Sequence, residues 1–242
     1  MSEIKKNNLP AHLVIIPDGN RRWAKARGFH PWFGHRAGAK TLEKILKIVD
    51  ELDIFCFSFW AASRDNILKR SKKEVSFLLE LFRRYFSRLL KEKRIYEKKI
   101  KVNIFGDWQK YFPARVKEPM ERLIEATKNH HDYFLNFFIM YDGQKEMLET
   151  IKKIVKKSQS QPQFKITSQV LKENLLTKEL PSVDFLIRTG VDNDPHWSAG
   201  FMMWDCAYAQ LYFTKTFWPA FDKEEFLKAL EDYQKRERRF GA

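Results

Sequence analysis

The sequence predicts an α/β fold: a single domain over residues 1–242, with a mostly parallel central sheet flanked by helices. Three observations predict it. Short apolar runs rich in β-branched and aromatic residues alternate with longer segments of helical period, the pattern of strand–helix–strand units. A chain of 242 residues with 44% apolar side chains can bury one core. No internal repeat or low-complexity tract divides it, and the one linker-like stretch, SQSQPQ at 158–163, is too short to separate domains.

The elements follow in chain order. His12 to Pro17 reads as the first strand and Arg36 to Asp50 as the helix behind it. Ile54 to Ala62 is the next strand, with a helix over Lys73 to Lys91. Ile100 to Phe105 and Tyr133 to Met140 are strands followed by helices at Ala114 to Lys128 and Lys145 to Lys157. Val183 to Ile187 is expected as the last strand, ahead of a C-terminal helix from Lys223. The helix at 73–91 carries the stripe Val75, Leu78, Phe82, Tyr85 and Leu89, which Phe77, Leu79, Leu81, Phe86 and Leu90 widen beyond one buried face. It is either sandwiched in the core or a wall of an apolar ligand tunnel, and the 36 aromatic residues, 21 of them Phe, favour a second use for apolar surface.

Charge narrows the partners. The 45 Lys and Arg against 31 Asp and Glu leave +14, which attracts phosphates of nucleic acid, an anionic membrane surface or a small polyanion. Between residues 69 and 101, 13 basic residues face 4 acidic ones, a solvated helix face or a peripheral membrane contact. The basic residues surround apolar stripes and not stacking aromatics, so nucleic acid is not expected. The start MSEIKKNNLP has no apolar signal core and no stretch approaches the ~20 residues of a bilayer span, so a cytoplasmic location is expected. Cys56 and Cys206 lie in apolar surroundings without CxxC spacing and read as buried, reduced thiols.

The chemistry gathers at strand ends. HLVIIP runs into Asp18-Gly19-Asn20-Arg21-Arg22-Trp23, placing an acid, a glycine and two arginines at the carboxyl end of a parallel strand, where such folds bind ligands. A helix start there offers free N–H groups, Gly19 permits close approach, and the arginines add charge-assisted bonds. Asp18 repels a bare phosphate, so it is either a helix cap or a ligand of a bridging Mg²⁺. Gly34-His35-Arg36-Ala37-Gly38 is expected to open the next helix and Arg188-Thr189-Gly190 to form a third basic start. Their convergence predicts a polyphosphate ligand. No GxxxxGK[ST], GxGxxG, HExxH or GxSxG signature is present.

HLVIIPDGNRRWAKARG, FGHRAGAKTLEKIL, the stretch ELDIFCFSFWAASRDNILKRSKKEVSFLLELF, IFGD, LNFFIMYDG, VDFLIRT, WDCAYAQLYFTKTFWPAFD and RERRFG, in this order along nearly the whole chain, resemble the cis-prenyltransferases, the undecaprenyl diphosphate synthase family. The resemblance implies an Mg²⁺-assisted enzyme that adds isopentenyl diphosphate to an allylic diphosphate with Z geometry, usually as a homodimer. By that likeness Asp18 is the catalytic aspartate and metal ligand, and Gly19, Asn20, Arg21, Arg22, Trp23, His35 and Arg70 hold the allylic diphosphate. Ser63, Arg64, Asp65 and Asn66 stand in the family's Ser-x-Glu-Asn stretch, where the asparagine is assigned to proton removal; an amide is a poor base, so a diphosphate oxygen is expected to share that task. Arg188, with His196 and Ser198, is assigned to isopentenyl diphosphate, and Arg239 and Gly241 to the partner subunit's site.

The chain departs from that pattern in a cluster. Pro31 stands where the family usually has a phosphate-binding arginine, with Arg27 a candidate substitute, and Ile67 followed by an extra Leu68 replaces a tryptophan. Residues 188–201 are about three longer than usual, and Trp197 takes the place of an arginine. Gln210 occupies the position of a second metal-binding glutamate; a neutral amide is a weak Mg²⁺ ligand, and Asp192, Asp194 or Asp205 are candidates to compensate. The resemblance therefore implies an intact allylic site and an altered acceptor and metal site, leaving open a changed acceptor, a short product or a non-catalytic partner subunit.

Overall fold

The computed structural model describes residues 8–161 and 163–236. Its sheet holds six strands, β1 (His12–Ile16), β2 (Cys56–Ser63), β3 (Ile100–Phe105), β4 (Tyr133–Tyr141), β5 (Phe185–Arg188) and β6 (Gln210–Phe213), all parallel in the order β3-β4-β2-β1-β5-β6. The helices are α1 (Asn20–Lys25), α2 (Pro31–Glu51), α3 (Arg64–Leu68), α4 (Lys72–Leu89), α5 (Lys93–Glu97), α6 (Trp108–Tyr111), α7 (Ala114–Thr127), α8 (Gly143–Ser160), α9 (Ser168–Asn174) and α10 (Lys223–Lys235).

Both faces of the sheet are covered, which is why its strands read as unbroken apolar runs. Leu13 and Ile15 of β1, with Phe185 and Ile187 of β5, join the core formed with α2, α4, α7 and α10. Their neighbours Val14, Ile16 and Leu186 point the other way, to Cys56, Trp60, Phe138, Phe201 and Cys206. Both cysteines are free and buried, and burial raises both thiols. Among the described residues no helix is long and apolar enough to cross a membrane.

Two expectations are corrected. Val183 to Ile187 is not the last strand: β6 pairs with β5 at the sheet edge, four residues long and only half-buried, too short and mixed to stand out as an apolar run. The second helix opens at Pro31, with His30 as N-cap, so Gly34 and His35 lie inside it and not at its start. Proline at the first helical position is the start signal that the Gly34 reading overlooked.

A polar seam crosses the second core. The His12 ring lies 2.8 Å from both the Pro181 carbonyl and Ser58 Oγ, and Asn136 Nδ2 donates to Ser58 Oγ at 3.1 Å. Burial outweighs these partners and pulls His12 down to about 4 from 6.5. The unfolded chain therefore binds a proton that the folded one refuses, and stability present above pH 6.5 is lost as pH falls toward 4, by about 3 kcal/mol. Denaturant unfolding across this window is expected to show the loss in the wild-type chain and a flatter profile in His12→Asn; parallel profiles would remove His12 as the cause.

Candidate active site

The connection from β1 goes to β2 on one side, while β5 docks on the other side of β1, so the strand order reverses at β1. Ligands bind beyond the carboxyl ends of strands at such a point. A pocket of about 570 Å³ opens there, lined from β1 by Asp18, Gly19, Asn20, Arg21 and Arg22, from β2 and α3 by Ala61, Ser63, Arg64, Asp65, Asn66 and Arg70, and from β5 by Arg188, His196 and Ser198. His35 of α2 completes it, with Tyr141 and Asp142 at the end of β4. Five arginines thus face three aspartates around one cavity.

Asp18 is fixed from three sides. Its backbone carbonyl accepts from Thr189 Oγ1 and from the Trp218 N–H, both at 2.9 Å. Its carboxylate meets Arg22 Nη2 at 3.1 Å, Arg188 Nη2 at 3.2 Å and the Gly19 N–H at 2.6 Å. Gly19 turns the chain at φ 102, and a Cβ there would stand 2.6 Å from the Phe217 ring, so neither the turn nor the packing admits a side chain. Arg188 is buried, its Nη1 donating to the His196 carbonyl. No helix follows Arg188-Thr189-Gly190, contrary to the sequence expectation; Gly190 makes a turn at φ 66, and the Arg22 guanidinium donates to its carbonyl at 2.6 Å.

Residues lining the pocket hold buried polar atoms without a hydrogen-bond partner, Trp60 Nε1, Arg64 Nε, Arg188 Nε and Asn20 Oδ1, although Arg64 Nε lies 3.8 Å from the Asp107 carboxylate. Three of these are N–H donors, and a buried donor left unpaired is costly, so the site is built for a ligand rich in acceptor oxygens. On the opposite wall Ser63 caps α3 through the Asn66 N–H at 3.1 Å, which aims the Asn66 region at the cavity. His35 and Arg70 share the buried Glu74 carboxylate; burial pushes His35 below its usual range while the Glu74 bond opposes it.

Other expected residues lie apart. Trp23 does not line the pocket; the Arg27 guanidinium lies 4.3 Å over its ring, which also removes Arg27 as a stand-in for the arginine replaced by Pro31. Gln210 pairs with Phe185 at the start of β6, three residues below the level of Arg188, so within one chain the strand register keeps it from Asp18. Asp205 is consumed by Lys172 and Thr177, Asp194 by His196 and Asp192 by Lys215. Trp197 donates to the Phe201 carbonyl at 2.8 Å and packs on the second core instead of supplying a cation. Arg239 and Gly241 lie outside the described residues. Sequence reading missed Glu74, Tyr141 and Asp142; the capping pattern Ser71-x-x-Glu74 and the end of the β4 run were the available signals.

Among the described residues no group of three or more His, Cys, Asp or Glu could hold a metal by itself. The donor set fits Mg²⁺ nonetheless, because that ion keeps waters and is commonly held by one or two carboxylates plus substrate phosphates. Asp18, beside Arg22 and Arg188, would supply the hard oxygen.

Two further cavities lie between the sheet and the helices. A small chamber of about 70 Å³ adjoins this pocket between Leu42, Ala61, Leu78, Phe82, Phe86 and Phe137. A larger one of about 440 Å³ follows at the far end of the sheet, between Leu46, Val49, Ile54, Leu89, Ile95 and Leu135. Tyr85 lines both.

Comparison with known proteins agrees with this geometry. The prenyltransferase family described as undecaprenyl diphosphate synthase matches residues 16–241. Tritrans,polycis-undecaprenyl-diphosphate synthase (geranylgeranyl-diphosphate specific) of Pyrococcus abyssi is 37% identical over 243 residues, covering 100% of this chain and 90% of its own length. Isoprenyl transferase of Thermus thermophilus is 35% identical over 247 residues, covering 100% and 92%. Lavandulyl diphosphate synthase from Lavandula x intermedia, solved in complex with dimethylallyl diphosphate, superposes with a TM-score of 0.88 at 27% identity over 98% of this chain and 100% of that one. With its motifs, its sheet and its relatives in agreement over the whole length, the chain belongs to the cis-prenyltransferase family and is an enzyme of that kind.

Proposed function

We propose that the enzyme condenses isopentenyl diphosphate with an allylic prenyl diphosphate to give a Z-polyprenyl diphosphate, with Mg²⁺ bound between Asp18 and the diphosphate. The observation that carries this reading is that the pocket of five arginines and Asp18 shares Ala61 and Leu78 with an adjoining, largely apolar chamber. A long apolar chain bearing a diphosphate fits both halves. The allylic C–O bond breaks, a C–C bond forms to the acceptor's terminal carbon, and the acceptor loses one proton. Charge developing on the leaving oxygens is met by the donors of Arg21, Arg22 and Arg70, which are in place before the bond breaks. The metal, when bound, adds charge neutralisation at the same oxygens. Arg188, His196 and Ser198 hold the acceptor, and Asn66 with a diphosphate oxygen takes its proton. Each five-carbon unit drawn into the apolar chambers gains about 3–4 kcal/mol at ~0.8 per buried carbon group.

The name of the Pyrococcus relative makes geranylgeranyl diphosphate a second starter to test beside farnesyl diphosphate. Incubation of each with labelled isopentenyl diphosphate and Mg²⁺ is expected to give labelled Z-polyprenyl products; no incorporation from either starter would overturn the reading. A second reading, short products or coupling to a different acceptor, is favoured by the likeness to lavandulyl diphosphate synthase and by the small first chamber. It predicts labelled products of one or two added units, or coupling without isopentenyl diphosphate.

A homodimer is part of the proposal. Leu148, Ile151 and Val155 form an apolar stripe along α8 and are 52%, 47% and 44% exposed, a face suited to a second copy of the chain. Ile151→Lys is expected to shift the sedimentation coefficient from dimer to monomer; a wild-type chain that already sediments as a monomer would remove the proposal.

A further inference from the structure

Glu74 puts a negative charge beside a site built for anions. Its side chain is 5% exposed, and its Oε1 lies 2.8 Å from His35 Nε2, 3.2 Å from Arg70 Nη1 and 3.7 Å from Arg21 Nε. These partners come from α2, from the turn before α4 and from α1, and all three line the pocket. By Coulomb's law alone such a carboxylate weakens the site for diphosphate.

The local sequence sharpens the point. Ser71-Lys72-Lys73-Glu74 has the pattern of a capping box, in which the serine side chain takes the N3 N–H and the glutamate returns to the N-cap N–H. Ser71 performs its half, accepting from the Glu74 N–H at 3.3 Å. The Glu74 carboxylate turns instead to His35, Arg70 and Arg21. A residue that gives up its local role to join a cluster from three other segments marks a functional constraint.

We infer that Glu74 is a positioning residue for the diphosphate. One carboxylate on the rigid first turn of α4 orients the His35 ring and fixes one edge of the Arg70 guanidinium. The remaining N–H groups of Arg70, and those of Arg21, are thereby held in one direction before the substrate arrives. An arginine carries five donors, so one bond to Glu74 leaves several for phosphate oxygens. The rotamer freedom of a long side chain is lost in the free enzyme and not on binding. This inference rests on the diphosphate reading of the pocket.

The sign of one substitution separates positioning from bulk charge. Glu74→Gln keeps the shape and removes the charge. If Glu74 acts only as an anionic neighbour, inorganic pyrophosphate binds the variant more tightly. If it positions the arginines, binding weakens, by about tenfold in calorimetry, and KM for the allylic diphosphate rises while KM for isopentenyl diphosphate and the melting temperature stay near wild type. In an Arg70→Gln background the same change is expected to add little, because the effect passes through Arg70. Equal or tighter pyrophosphate binding by Glu74→Gln, or full additivity with Arg70→Gln, would overturn the inference and leave the site reading intact. Absence of pyrophosphate binding to the wild-type chain would overturn the site reading itself.

Discussion

Asp18→Ala is expected to lower turnover by about 10³-fold or more, equivalent to about 4 kcal/mol of transition-state stabilisation, with the fold intact. The carboxylate does little for stability. The N-cap of the six-residue α1 is Gly19 and no side chain caps that helix, so what the fold loses is one local hydrogen bond from the Gly19 N–H, worth about 1 kcal/mol. Its electrostatic position is another matter: it stands between Arg22 and Arg188 where the proposed metal and leaving group meet. Removing it leaves both arginines without their anion, so binding of the allylic diphosphate in the ground state should hold or tighten while turnover collapses. That split, loss in kcat without a rise in KM, is the mark of an interaction used in the transition state. Asp18→Asn keeps the shape and an acceptor for the Gly19 N–H but not the charge, and it should fall nearly as far. A wild-type rate in Asp18→Asn would mean that the charge of Asp18 has no part in turnover; a parallel loss of kcat and melting temperature would make its role structural.

Why some of this was readable in the sequence and some was not follows from the physics of each signal. Strands buried on both faces must be apolar throughout, so β1, β2 and β4 stood out as unbroken runs. β6 carries one paired edge and half-buried residues, and has no comparable signature. Phosphate chemistry was legible at Asp18 to Arg22 because glycine, acid and arginine adjoin there in sequence. The convergence of Ser63 to Asn66 and Arg188 on the same cavity depends on the parallel register of β1, β2 and β5, which one sequence does not state. The likeness of ordered motifs supplied it. Position in a motif does not fix position in space: within one chain Gln210 stands at the start of β6, three residues below the level of Arg188, and Asp205 is paired with Lys172 and Thr177. Glu74 escaped notice because two of its partners, Arg21 and His35, lie on α1 and α2 and meet it only in the fold.

The departures also sort by place. Pro31 starts α2, Trp197 packs on the core, and neither supplies the cation that the family places there. The proposed acceptor side is left with Arg188 as its cation, whose Nη groups already meet Asp18 and the His196 carbonyl while Nε has no hydrogen-bond partner. On the allylic side Arg21, Arg22, Arg70 and His35 all reach the pocket. If the altered loop weakens the grip on the acceptor, the consequence belongs in KM for isopentenyl diphosphate and not in binding of the starter.

Product length is the property with the widest room to change, and one aromatic cluster is placed to set it. Tyr85, Phe86 and Phe137 meet edge to face, with ring centroids 5.8, 5.9 and 5.1 Å apart, between a chamber of about 70 Å³ next to the diphosphate pocket and one of about 440 Å³ beyond. A chain growing down the proposed channel fills the first chamber early and must displace these rings to reach the second. Phe86 and Phe137 are fully buried, and truncating either costs about 3–5 kcal/mol, which would confuse length with stability. Tyr85 is only partly buried and borders both chambers, so Tyr85→Ala opens the passage at lower cost. Its products are expected to lengthen by several units. The opposite substitution lies at the entrance: Ala61 lines both the diphosphate pocket and the first chamber, and Ala61→Leu should shorten the products. Resolving labelled products by chain length tests the pair, and the opposite signs matter more than either size. A distribution unmoved by both changes would mean that the chain does not grow between α4 and the sheet, and that the far chamber serves another purpose.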